Sequence, residues 1–379
     1  MAREIKSPKQ NVAQKELIAV QNATTKIKEI IVVDVDANVN KEETTKKIAK
    51  IIDELKKDIT DPILLKESRQ SLALSTQRWY YEYSQNVKVL RVATTQNINY
   101  ALARFKTPQL AVMSKTYNID LQSFQNELTG AKSNNEFKTV VDKFRPFIDD
   151  ATKGLPIVKD YDKLIKGQVK VLASNPPISN RMTNEGKPYK VNLRNRAEMF
   201  VRYQANLDDL QRLIADGVEY AWISTHADAS PRCSRYQGKL YSLNGTSGVI
   251  NGNRYFPIED ALKGPLGDGN GCISGYNCRH RLIEYTPNSK PPNDYSKAEM
   301  KKAYEVDQKQ RNYENRIRQL KTEERLMRAS GDTETARKLR LQWRRMNKDY
   351  EIYSLENGRA YYNWRTIIRD DETNVTPVN

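Results

Sequence analysis

All three cysteines and both histidines of this 379-residue chain fall within 55 residues, from His226 to His280. The same window holds nine of the sixteen glycines and few large apolar side chains. Such a segment cannot close on hydrophobic burial alone, so another source of free energy must fix its path. The pattern is H-x6-C, a loop of 38 residues, then C-x5-C-x-H. Thiolates and imidazoles brought together from two sides of a long loop suit a tetrahedral zinc ion. Cys278 and His280, two apart on an extended segment, share one side of it. The expected ligands are Cys233, Cys272, Cys278 and His280, with His226 replacing one of them or standing behind them, and zinc is the expected structural cofactor. There is no C-x2-C knuckle, so the spacing also accommodates buried free thiols with a core histidine, or a catalytic role.

Catalysis finds little support in the residues. A Cys233–His226 nucleophile pair would need an orienting group and an oxyanion site, and no spacing supplies them. The zinc-deaminase pattern is missing: Ala227 and Asp228 follow His226, and the later cysteines stand six apart. Neither a phosphate-binding G-x-x-x-x-G-K-[ST] loop nor an H-E-x-x-H helix occurs. Gly264–Gly271 has the glycines of a phosphate loop without the lysine and helix that should follow. No catalytic residues are therefore expected. The rival reading is a zinc-dependent enzyme acting on nucleic acid or protein, which would need an open coordination position.

Charge narrows the partners. Lysine and arginine number 63 against 47 acidic residues, a formal net charge of +16 that favours a polyanion such as nucleic acid. No apolar run exceeds four residues, so no membrane span is expected. The cationic first ten residues lead into no apolar stretch of the secretory kind, and the expectation is a soluble, intracellular chain.

Around the cysteine window the chain reads as helix. Residues 1–180 are polar and helix-rich, with an apolar stripe of Ile48, Ile51, Ile52 and Leu55 on a helix over 41–57. Asp61-Pro62 breaks the chain before a long helix from Leu64 to Val92. That helix carries Trp79, Tyr80, Tyr81 and Tyr83, suited to a core seam or a partner surface. Further helices are expected over 96–105, 118–130, 135–149 and 158–173; Glu29–Asp36 suits a strand or a helix end equally. The proline-bearing stretch 174–188 reads as a linker. Beyond it, Asn195 can cap a helix to about Asp216, closed by Gly217. Short strands follow at 218–225, 239–243 and 281–285. After a second linker, 286–295, comes a helical hairpin with stripes at Tyr313, Ile317, Leu320 and Met327 and at Leu339, Trp343, Met346, Tyr350 and Tyr353. Its turn lies at Ser330-Gly331, and Asp332 caps the return helix. The expected fold is α+β and predominantly α-helical. A helical region, 1–180, precedes a metal-stapled α+β module, 190–286, and a basic helical hairpin and tail, 296–379.

Residues 296–369 hold 19 cationic and 11 acidic side chains, arginine outnumbering lysine 12 to seven. The guanidinium fork binds phosphate bidentately, so Arg311, Arg316, Arg318, Arg337, Arg340, Arg344 and Arg345 are candidate nucleic-acid contacts. No base-reading motif accompanies them, and any DNA contact should be sequence-independent and salt-sensitive.

The order of these elements resembles the minor capsid proteins of tailed bacteriophages, within the wider head-morphogenesis family. Residues 223–238 (ISTHADASPRCSRYQG), 239–242 (KLYS) and 275–280 (GYNCRH) carry the likeness. His226, Gln237, Gly238, Lys239, Cys272, Asn277, Cys278, Arg279 and His280 fit the family pattern. Cys233 stands where the family usually has histidine, an exchange that keeps a metal ligand, and Tyr236 stands where it has tryptophan. The spacing from Cys272 to Cys278 is longer than the family's. The resemblance covers about residues 192–369. It implies a structural head protein at the portal or inner capsid surface, assisting head assembly and DNA packaging or delivery. The implied partners are the portal or major capsid protein and packaged double-stranded DNA. The implied location is the virion, with assembly in the host cytoplasm.

Overall fold

The computed structural model describes residues 8–153, 161–182, 188–231, 233–262, 273, 278–292 and 294–368. Helix α1 (Pro8–Asp36) sits at the centre of the helical part. It contacts α2 (Lys41–Glu54), α3 (Pro62–Ala103), α6 (Asn134–Lys143), α8 (Tyr161–Ser174), α9 (Leu193–Ala215) and α10 (Lys297–Ala329). A helix packed on all sides shows no single apolar stripe. That is why periodicity left Glu29–Asp36 open; it is the last part of α1. The apolar side chains Leu17, Val20, Ile27 and Ile31 are buried there, and so are polar ones with partners of their own. Glu16 Oε1 accepts from the Thr60 N–H and hydroxyl, and Asp34 accepts from Thr44 and Lys47.

Local chemistry sets the helix ends. Asp61 accepts from the N–H groups of Ile63 and Leu64, with Pro62 at the first helical position, where a missing N–H costs nothing. Helix α3 then runs through the expected break near Val92 to Ala103, absorbing the separate helix expected over 96–105. Short helices α4 (Thr107–Thr116), α5 (Leu121–Gly130) and α7 (Arg145–Ala151) complete this part. Of the aromatic group on α3, Trp79 and Tyr83 are buried, Tyr80 is half-buried and Tyr81 is exposed. The stretch expected as a linker contains strand β1 (Ile178–Met182), which pairs with β2 (Pro188–Asn192) at its far end. Asn192, not Asn195, caps α9 through the Arg194 N–H.

A five-stranded mixed sheet follows, in the order β5-β6-β4-β3-β7. Its strands are β3 (Tyr220–Ile223), β4 (Leu240–Ser242), β5 (Gly248–Ile250), β6 (Asn253–Pro257) and β7 (Leu282–Glu284). Only β4 and β6 pair in parallel. Asn251 and Gly252, both at positive φ, turn β5 into β6. A hairpin of α10 and α11 (Thr333–Glu356) comes after the sheet. A Ser296–Glu299 capping box starts α10, and Asp332 accepts from the Thr335 N–H at the start of α11. Leu320, Leu326, Met327, Ala336 and Leu339 join one continuous core with α1, α3, α8 and α9. Lys166 of α8 holds Asp332 at 2.8 Å, tying the hairpin turn to that bundle. No described helix is long and apolar enough to cross a membrane.

One buried cation tests this packing. Lys28 of α1 donates to the Ala173 carbonyl at 3.0 Å and lies 4.8 Å over the Trp79 ring. Burial first, and then the charge of Arg78, lower its pKa to about 7 from 10.5. Between those values the unfolded chain binds the extra proton, so this group adds stability as pH rises through the window. Lys28→Met is expected to be more stable than the native chain at pH 7. It should also show a smaller gain in stability between pH 7 and 9.5, read from urea denaturation at both pH values.

Candidate metal centre

The turn after β3 brings the first thiol into place. The Ser230 carbonyl accepts from the Cys233 N–H at 2.9 Å, and the Cys233 carbonyl accepts from the Tyr236 N–H at 3.0 Å. The chain then passes Gly238, at φ +70°, where a Cβ would stand 3.1 Å from the Thr225 methyl. This close passage lets the Gly238 N–H donate to Ile223 as β4 begins. From the other side, Cys278, Arg279 and His280 lead into β7. The Ser224 N–H donates to the Arg281 carbonyl, and the Arg281 N–H donates to the Ser224 hydroxyl.

Cys233, Cys278 and His280 converge there, all buried, with their ligand atoms within 4.8 Å of one another. Cys278 Sγ lies 3.4 Å from His280 Nδ1. Gln237 decides which ring nitrogen carries the proton. Its Oε1 accepts from the His226 backbone N–H at 3.0 Å and also faces His280 Nε2 at 2.9 Å. A backbone N–H can only donate, so the shared atom is an acceptor, and His280 Nε2 must carry the proton. The Nδ1 lone pair is left facing the two thiols, as in a metal site whose histidine is oriented from behind. Burial first, and then the neighbouring His226, push the His280 pKa down to about 4. Its imidazole is therefore neutral at pH 7, as ligation requires. Two buried thiols and one neutral imidazole form a soft donor set that could hold a metal ion.

His226 packs edge-on to His280, ring centroids 4.9 Å apart, outside this three-residue group. Its Nε2 donates to the Arg279 carbonyl at 3.1 Å. Burial first, and then the charge of Arg279, lower its pKa as well. Cys272, the remaining expected ligand, lies outside the described residues. Its neighbour Ile273 shares the small apolar cluster that contains Cys233 and Cys278.

Asp228, Asp307 and Arg359 also build the site, and nothing in the sequence marked them as part of it. Arg279 reaches Asp228 at 2.7 Å and Asp307 of α10 at 3.8 Å. Arg359 also reaches Asp228, at 3.5 Å, and Arg311 holds Asp307 at 2.9 Å. Burial works to raise the Asp228 pKa, but Arg279 and Arg359 outweigh it and hold the carboxyl below its usual range.

The seven hairpin arginines divide by environment. Arg311 and Arg340 are bound to the buried carboxylates of Asp307 and Glu324, and Arg316 reaches Glu323 at 3.9 Å. Arg318 donates to the Arg365 carbonyl and to Asn315, and burial first, then Arg194, lower its pKa to about 9. Arg337, Arg344 and Arg345 are exposed on α11 and form no ion pair among the described residues. Lys348 stands on the same helical face and is likewise exposed.

The sequence matches the family model described as Phage minor capsid protein 2 over residues 40–351. That is 312 of 379 residues, from the cap of α2 to the last turns of α11. The match reaches well before residue 192, where the likeness read from the sequence began, and takes in most of the helical region. No curated protein and no solved structure matches the chain. The chain belongs to the phage minor capsid protein 2 family, and its role is that of a structural capsid component.

Proposed function

We propose that this chain is a minor head protein held in shape by one structural zinc ion. It lies at the portal or on the inner capsid surface, where it assists head assembly and the packaging or delivery of DNA. The family match across most of the chain carries the structural role. The buried thiols and the oriented His280 support zinc, because soft donors in a closed site suit a structural ion rather than an open catalytic one. Cys233, Cys278 and His280 supply three ligands, and Cys272 or His226 the fourth. The α+β module is one folding unit between the helical region and the hairpin. Its shape depends on the ion.

DNA contact falls to the outer face of α11. From Thr335 to Lys348 the chain has six cationic side chains and no acidic one. Arg337, Arg344, Arg345 and Lys348 are free to meet phosphate, whereas Arg311, Arg318 and Arg340 are engaged within the fold. Portal or major capsid protein forms the other contact.

Purified chain is expected to carry one zinc per molecule by atomic absorption. Cys278→Ser should lose it and open the module to limited proteolysis. Folded, protease-resistant protein without zinc would sink the staple. Arg344→Glu with Arg345→Glu should weaken binding to unrelated duplexes alike. The slope of log affinity against log salt should fall by about 2, near 0.9 for each phosphate no longer neutralised. An unchanged slope would remove α11 from the DNA interface. Cross-linking of assembled heads should join the chain to portal or major capsid protein; links to tail components alone would refute the location.

A further inference from the structure

The residues that orient the metal group are the same ones that touch α10. Gln237, which sets the His280 proton, directs its amide nitrogen at Met300 Sδ, 3.3 Å away. Arg279, flanked by Cys278 and His280 in the chain, reaches Asp307. Arg359 joins them from the far end of the hairpin, donating to the Ala303 carbonyl at 3.1 Å while pairing with Asp228. Met300, Ala303 and Asp307 stand at i, i+3 and i+7, one face of α10. Nothing in a mere zinc staple requires its supporting groups to end on a helix outside the module.

We infer that metal binding at Cys233, Cys278 and His280 is coupled to the seating of the first half of α10, through Arg279 and Gln237. The inference rests on the zinc reading above. With the ion in place, the backbone on both sides of Arg279 is fixed, and its guanidinium is held between two buried carboxylates. Without the ion, the 278–280 segment loses its anchor and Arg279 can leave. The loss is partial, since Asp228 keeps Arg359 and Asp307 keeps Arg311. A coupling of about tenfold is therefore expected, within the ordinary range for linked sites. Linkage makes it reciprocal: whatever loosens α10 weakens zinc binding by the same factor.

Hydrogen–deuterium exchange on the full chain, zinc-loaded and chelator-stripped, tests this. Exchange over residues 297–312 should rise about tenfold on stripping, while α1 and the 326–336 turn, packed in the other core, stay unchanged. Arg279→Ala should still bind one zinc at saturation, with about tenfold lower affinity, and exchange fast over 297–312 with or without the ion. Should that variant fail to fold, Asp307→Asn, outside the module, should show the same drop in zinc affinity. One bound zinc with identical exchange in both states overturns the coupling alone, as does unaltered zinc affinity in Asp307→Asn. No bound zinc at all overturns the metal reading, and the coupling with it.

Discussion

Among the described residues, the core that closes the five-stranded module consists of Ile223, Cys233, Tyr241, Ile258, Ala261, Ile273 and Cys278. Two of these seven are thiols, and the partly buried Tyr236, Leu243, Phe256, Leu262 and Leu282 pack against this core. The convergence of Cys233, Cys278 and His280 is the contact that joins the two sides of this small core. It brings together the turn after β3 and the approach to β7, on the two sides of strand β3.

The module is not an isolated appendage. Asp228 and Asp307 are buried carboxylates that would be costly if unpaired, and three guanidinium groups from different parts of the chain neutralise them. At the opposite end of the same hairpin, the Lys166–Asp332 pair and the apolar residues of α10 and α11 enter the helical core. The hairpin thus spans two different environments, ionic at the module and apolar at the bundle. Its outer face keeps uncompensated positive charge. This division suits a capsid component whose inner parts hold shape while one helix face remains available to a partner.

Much of the helical framework could be read directly. The break at Asp61-Pro62 and the Asp332 cap act through local geometry, and stripes such as Ile317, Leu320 and Met327 follow the helical period. The strand pair β1–β2 could not be read, since its prolines resemble a linker and its register depends on packing beside α3 and α9. The β5–β6 hairpin was hidden in the same way by its glycines. Gly248 is there because any Cβ would meet the Tyr255 side chain across the strand, within 2.7 Å. Trp79 and Tyr81, two positions apart on α3, met opposite fates, one in the core and one in solvent, because a helix face is chosen only by its neighbours.

At the site, the crowding of cysteine and histidine pointed to Cys233, Cys278 and His280, which the fold brings together, because metal chemistry restricts ligand types to a short list. It could not name Gln237, Asp228 or Asp307, whose residue types are common and whose partners lie far away in the chain. Nor could it separate free from engaged arginines on the hairpin. Net positive charge is a sum over residues and is legible from composition. Whether a given guanidinium faces a buried carboxylate or open water depends on where other helices pack, and only the folded chain decides that.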